Sequence, residues 1–236
     1  MSKIKLAIII PVFNEQEVIT KVVNNWIKVL KNIDGRLIII NDGSTDQSLA
    51  KLRLIPSKKL IIINQKNSGH GPAIINGYKK AQAFDPEYIF QVDSDNQFIT
   101  SDFNKFWNKR KKYDFIIGHR SKRYDTFFRL IITRLLRILN FLLYGNYILD
   151  ANIPFRLMNK KLLKKFIFFV DPKCKIPNTL LTLIAYKIFK CVTIEVKHKE
   201  RKTGIVWILG FNLIKFCFNS ILELIDFRIK KYNKIN

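Results

Sequence analysis

The stretch YIFQVDSDNQF, residues 88–98, passes within a few positions from β-forming apolar side chains to Asp93, Asp95 and Gln97. Such a change marks the carboxyl end of a buried strand, and in open α/β sheets ligands bind outside those ends. The flanking sequence repeats the pattern. KLAIIIPVF (5–13), RLIIIND (36–42), KLIIINQ (59–65) and DFIIGHR (114–120) are apolar runs that close on polar residues. Helical segments are expected between them: Glu15 to about Lys31, a short one after Asp42, Pro72 to Ala83, and Ser101 to Lys111. Apolar strands alternating with helices predict a parallel sheet covered on both faces by helices. Asn14 and Glu15, Asp42, Asn64 to Gly71, Asp93 to Gln97, and His119 with Arg120 then fall at five strand ends along one edge.

The chain has 236 residues, 48% of them hydrophobic, enough for one large globular domain or a domain with a small appendage. Its 42 basic and 18 acidic residues give a net charge of +24, which implies an anionic partner: nucleic acid, phosphorylated substrate or acidic lipid. The basic residues are spread along a chain in which Ile and Asn also recur, so compositional bias is an equal account of the excess. Asp42, Asp93 and Asp95 would repel a polyanion, which argues against a nucleic-acid partner. Cys174, Cys191 and Cys217 are too few and too far apart for a disulfide framework or a metal cluster, and read as reduced thiols. The KLAIII run is short and continues into PVFNE without a cleavage site, so a strand is expected there rather than a secretory signal.

In an extended chain alternate side chains share a face, which would put Asp93, Asp95 and Gln97 together. Three oxygen donors suit Mg2+ or Mn2+, whose remaining ligands are typically water and substrate phosphate. A solvated turn is the alternative, since Asp, Ser and Asn are ordinary turn residues. NDGSTD (41–46) offers Asp42 beside a glycine turn, with Ser44 or Thr45 able to cap a helix. In NQKNSGHGPAIINGYKKA (64–81), Lys66, Gly69 and Gly71 precede a helix start, a place that favours phosphate. The spacing does not match a Walker loop.

Taken in order, IIIPVFNE, IIINDGSTD, NSGHGPAIINGYKKA and FQVDSDNQF resemble the nucleotide-sugar half of family 2 glycosyltransferases, inverting enzymes with the GT-A fold. GHR, Arg129 followed by Thr133, DANIPFRLM and VKHKERKTG extend the likeness to the dolichol- and polyprenyl-phosphate hexosyltransferase branch, over about residues 4–206. The resemblance implies a donor pocket lined by Pro11, Asn14, Glu15, Asp42, Lys66, Gly69 and Asp93. It implies a Mg2+ or Mn2+ ion at Asp93, Asp95 and Gln97, with Asp95 in direct contact, and an acceptor phosphate held by Arg120, Arg129, Thr133 and Arg201. Asp95, Arg129 and Arg201 are the expected catalytic set. The implied reaction moves a hexose from a UDP- or GDP-sugar to a membrane polyprenyl or dolichyl phosphate. A second reading is transfer to a saccharide hydroxyl. Such transfer needs a general base, and members of that kind usually show a Glu-Asp pair in the second half, which is absent here. Asp150 is the only suggestively placed base, and the lipid-phosphate branch has an aspartate there too. A phosphate monoester is already a nucleophile at neutral pH. His119 and His198 are expected in packing or phosphate contacts.

Two hydrophobic stretches, 127–149 and 205–225, complete the reading. Arg129, Arg134 and Arg137 make the first too costly for a lipid-exposed span. In the second, Asn212, Lys215, Asn219 and Glu223 form a polar stripe, with Trp207, Phe211, Phe218 and Leu222 elsewhere on the surface. Both are expected to lie in a bilayer interface, with ordinary core helices as the alternative. The expected organisation is a GT-A domain over 1–204 with an amphipathic extension over 205–236, peripheral on the cytoplasmic face of the cell membrane.

Overall fold

The computed structural model describes residues 3–120, 127–200 and 211–235, with the backbone alone at 127–133 and 211–214. Strands β1 (Leu6–Val12), β2 (Gly35–Asp42), β3 (Leu60–Gln65), β4 (Tyr88–Val92), β5 (Phe115–Arg120), β6 (Phe155–Asn159) and β7 (Cys191–Val196) make one sheet, ordered β3-β2-β1-β4-β6-β5-β7. β1 pairs in parallel with β2 on one side and β4 on the other, Ile8 lying between Leu37 and Phe90. β1 is buried throughout, as its unbroken apolar sequence requires.

The sheet is mostly parallel, as expected of the GT-A fold; the exception is β6, which runs antiparallel to both β4 and β5. Two reversals return β5 to the direction of β4, so its carboxyl end joins those of β1–β4 on one edge. The sequence pattern gives no strand at 155–159, because PFRLM runs straight into helix-period KKLLKKF and carries an arginine at its centre. That arginine is fully buried. Arg156 Nε donates to the Ile153 carbonyl at 2.9 Å, and its Nη1 to the Asn178 carbonyl at 2.7 Å. Nη2 reaches the carbonyls of Ala151 and Ile153. Burial draws the guanidinium down to about 10, so it stays charged at neutral pH.

Helix α1 (Ile19–Val29) buries Ile19, Val22, Val23 and Trp26, a helical spacing that places one face on the sheet. It starts later than the sequence suggests, because Asn14 takes a left-handed φ of 53° and the Gln16 amide bonds to Asp46. Trp26, Phe103 and Phe155 surround Phe90 at centroid distances of 5.2, 5.0 and 4.8 Å, fixing the strand that leads to the acidic turn. Helices α2 (Ser48–Arg53), α3 (His70–Gln82), α4 (Phe103–Lys109), α6 (Lys160–Phe169) and α7 (Pro177–Ile188) complete the cover. At the start of α3 a Cβ on Gly71 would stand 2.3 Å from the Cys174 carbonyl oxygen, so only glycine permits the approach.

Helices α5 (Phe127–Tyr144) and α8 (Phe211–Lys230) pack on each other. Tyr144 Oη donates to the Leu224 carbonyl and Arg228 Nε to the Leu143 carbonyl, each at 2.6 Å. Leu135, Ile138 and Leu142 of α5 are exposed, as are Phe218, Leu222, Ile225 and Ile229 of α8. The polar side of α8 turns partly inward, where the Glu223 carboxylate accepts the Lys175 amide at 3.1 Å. Trp207 and the side chains of Phe211 and Asn212 lie outside the described residues. Among the described residues no helix is long and apolar enough to cross a membrane.

Arg156→Ala should cost about 3 kcal/mol, because several buried carbonyls lose their donor and a cavity replaces the side chain. Urea unfolding of the variant would measure it.

Candidate active site

The carboxyl edge of β1–β4 and the start of α3 enclose a cleft of about 370 Å³. Pro11, Glu15, Asp42, Asn67, Gly69 and His70 line it together with Asp93, Ser94 and Asp95. The sequence-predicted Pro11, Glu15, Asp42, Gly69, Asp93 and Asp95 therefore meet in one place. Asn14 does not line the cleft. Its Oδ1 accepts the Thr45 amide at 2.8 Å and its Nδ2 donates to Thr45 Oγ1, joining the end of β1 to the turn after β2. Lys66 is exposed and also outside the lining.

Asp42 is 3% exposed, and its carboxylate is occupied by its own neighbourhood. Oδ1 accepts the Gln65 side-chain amide at 2.7 Å and the Ser68 amide at 2.9 Å; Oδ2 accepts the Gly69 amide at 2.9 Å. Two consecutive backbone N–H groups on one carboxylate fix the loop from β3 to α3. Gly69 supports this path with a φ of 95°, a value that disfavours any side chain.

The acidic turn is not the extended segment of the sequence reading. β4 ends at Val92, residues 94–96 bend, and Asn96 has a left-handed φ of 59°. Asp95 Oδ1 accepts the Gln97 amide at 3.1 Å, an Asx turn that competes with strand continuation. Asp93 and Asp95 reach the cleft through this bend rather than through strand alternation, while Gln97 lies outside the lining. Gln97 is held from the other side: Nε2 donates to the Lys199 carbonyl at 3.0 Å, and its own carbonyl accepts the Lys199 amide at 2.8 Å. Phe98 bridges His198 and meets its ring at 5.1 Å. Chain positions a hundred residues apart are thus brought together, and His198 packs as expected.

Arg120, at the end of β5, forms a two-pronged ion pair with Asp150: Nε to Oδ2 at 2.8 Å and Nη2 to Oδ1 at 3.2 Å. Both line a second, smaller cavity of about 120 Å³ between α5 and α8, with Asn140, Thr179 and Ser220. Both oxygens of Asp150 are therefore engaged by one guanidinium. Arg129 and Thr133 lie on α5, but their side chains, like the whole of Arg201, are outside the described residues. His70 was missed by the sequence reading. It stands at the first turn of α3, lines the larger cleft, and places Nε2 3.7 Å from Asp93 Oδ1. Its position between two glycines of NSGHG was the available signal.

Among solved structures, glucosyl-3-phosphoglycerate synthase of Mycobacterium tuberculosis, in complex with Mn2+, UDP and glucosyl-3-phosphoglycerate, superposes with a TM-score of 0.69. The match covers 95% of this chain and 80% of that one at 12% identity. S. aureus TarS bound to UDP gives a TM-score of 0.65 at 18% identity, over 96% and 66% of the two chains. The fold is GT-A, the mostly parallel α/β sheet of sugar-nucleotide transferases. The glycosyl transferase family 2 model matches residues 7–172, and the chain belongs to that family of enzymes. Its relatives include undecaprenyl-phosphate 4-deoxy-4-formamido-L-arabinose transferase of Proteus mirabilis, 24% identical over 208 residues, 85% of this chain and 61% of that protein. Another is UDP-N-acetylglucosamine–dolichyl-phosphate N-acetylglucosaminyltransferase of Methanococcus voltae, 29% identical over 182 residues, 66% of this chain and 70% of that one.

Asp42→Asn should loosen the loop over residues 65–69, since an amide side chain replaces one acceptor oxygen with a donor. Backbone amide exchange at Ser68 and Gly69 is expected to accelerate by about tenfold or more, the equivalent of one lost charge-assisted bond. Exchange followed by mass spectrometry would show it.

Proposed function

We propose that the protein transfers a hexose, with inversion, from a UDP- or GDP-sugar in the larger cleft to a polyprenyl or dolichyl phosphate. The observation that carries the donor half is the meeting of Asp93 and Asp95 with a helix start whose loop is tied to Asp42. A helix N-terminus favours phosphate, so the diphosphate would lie at Gly69 facing the acidic turn. Two carboxylates facing phosphate need a cation between them. Asp93 and Asp95 offer oxygen donors to Mg2+ or Mn2+ in the cleft, whereas Gln97, expected with them from the sequence, lies outside its lining. Among the described residues no three His, Cys, Asp or Glu side chains form a complete metal cluster. Such a cation would therefore complete its shell with donor oxygens, as Mg2+ commonly does. The ion would neutralise charge that builds on the departing diphosphate.

On the acceptor side, Arg120 presents a partly buried guanidinium fixed by Asp150, and Arg129, Thr133 and Arg201 are the proposed further contacts. A phosphate oxygen attacks the anomeric carbon, the bond from that carbon to the diphosphate oxygen breaks, and the nucleoside diphosphate leaves. No proton need be removed from a phosphate dianion, and Asp150, bound through both oxygens to Arg120, is assigned to positioning rather than base catalysis. The lipid carriers in the names of the relatives support the acceptor class. The exposed apolar rows of α5 and α8 support a peripheral position on the cytoplasmic membrane surface, with 1–204 as the catalytic domain and 205–236 as an interfacial extension.

Labelled sugar from a panel of UDP- and GDP-sugars, incubated with undecaprenyl or dolichyl phosphate, should become chloroform-soluble only when Mg2+ or Mn2+ is present. Asp95→Ala should lower that transfer by about 100-fold or more. Transfer to free saccharides alone would place the protein with hydroxyl-acceptor enzymes instead.

Replacing both Phe218 and Leu222 by Glu should weaken binding to anionic vesicles by about tenfold or more, through lost apolar burial and added repulsion. Unchanged co-sedimentation would remove α8 from the membrane contact.

A further inference from the structure

We infer that Glu223 of α8 is a positioning residue for the donor: through the Cys174–Lys175 peptide it holds the first turn of α3 at the larger cleft. This role rests on the proposed seat of the donor diphosphate at Gly69.

One peptide unit carries the link. The Lys175 amide donates to the Glu223 carboxylate, 3.1 Å from Oε2 and 3.3 Å from Oε1. A trans peptide is planar, so its carbonyl oxygen points the opposite way from its N–H. That oxygen belongs to Cys174 and faces Gly71, where a Cβ would overlap it and would stand 3.0 Å from Lys175 Cα. Helix α8 therefore grips one side of a rigid plate whose other side seats α3. Turning the plate would withdraw the carbonyl from Gly71 or drive it into the helix. Gly71 does not move alone: the Ala73 amide donates to the Gly69 carbonyl at 3.0 Å, and Gly69, His70 and Ala73 line the larger cleft.

The Cys174 thiol supplies a second hold. Burial raises its pKa and a hydrogen bond to the Glu223 carboxylate raises it further, so it remains an S–H donor at neutral pH. One carboxylate thus takes donors from two consecutive residues, which fixes the orientation of the peptide between them as well as its distance. Attachment of α8 does not account for this contact. Leu224 and Phe227 of the same helix are buried in the core, and Tyr144 and Arg228 tie it to α5 through the Leu224 and Leu143 carbonyls. Ser220 and Leu224 of α8 line the smaller cavity, as do Ile176 and Thr179 just beyond the held peptide. Glu223 is the point at which a wall of the smaller cavity is joined to a wall of the larger cleft.

The test uses the whole protein. Calorimetric titration with UDP, and separately GDP, in the presence of Mn2+ gives nucleotide affinity, and amide exchange is followed in the nucleotide-free protein. Glu223→Ala should bind the nucleotide that the wild type prefers about tenfold or more weakly, the equivalent of one lost charge-assisted hydrogen bond. Its amide exchange should quicken over residues 69–76 and 174–176 and stay unchanged along α8. Glu223→Gln keeps one oxygen acceptor and should recover part of the affinity. Asp226→Ala, which removes an exposed carboxylate of the same helix paired with Lys230, should bind as the wild type does. Wild-type affinity in Glu223→Ala would overturn the inference. Equal weakening in Asp226→Ala, or exchange that quickens throughout α8, would overturn it too, assigning Glu223 to the stability of its helix. Wild type that binds neither nucleotide would defeat the donor reading, and the inference with it.

Discussion

The Asp42 carboxylate is the constraint on which the site depends. It is buried at the end of β2, and it would be costly there without partners. Its partners are the side chain that ends β3 and the two amides that begin the path into α3. One charge thus joins two strand ends to a helix start and determines where that helix presents its N-terminus. Asn14, bound to Thr45, does similar work one strand over. Polar residues that sequence inspection assigns to ligand contact are here spent first on shaping the loops that make contact possible.

The order of strands and helices was legible because β1 to β5 are apolar on both faces, and each closes on a polar cluster. Cleft residues such as Pro11, Glu15 and Asp93 were legible for the same reason, since a strand end has a predictable edge. β6 was not legible. Its sequence hides a charged residue whose donors are satisfied only when carbonyls from residues 151, 153 and 178 converge on it. Such convergence is tertiary and leaves no local period. The bend at Asn96 escaped for a related reason: Asp95 folds back on the Gln97 amide, and a polar side chain competing with the ladder defeats an alternation argument. The link from Gln97 to Lys199 spans 102 positions and has no sequence signature.

Charge is partitioned across the edge. Asp93 and Asp95 face the larger cleft, whereas Arg120 faces the smaller one with its counter-ion already attached. Arg156 lies beneath Asp150, holding the carbonyls of the loop that follows it. The buried positive charge therefore orders the segment that carries Asp150, the partner of Arg120. The net charge of +24 is a poor guide to this arrangement, because Arg120 and Arg156 are each fixed by particular partners.

The contact between Gly71 and the Cys174 carbonyl seats the first turn of α3 against the segment that precedes α7. Backbone meets backbone there, with no side chain to shorten or lengthen. The seating of the helix start beside the larger cleft is consequently a property of the main chain. Variation in the lining of the larger cleft is left to side chains such as Asn67, Ala73 and Ser94, none of which makes that backbone contact.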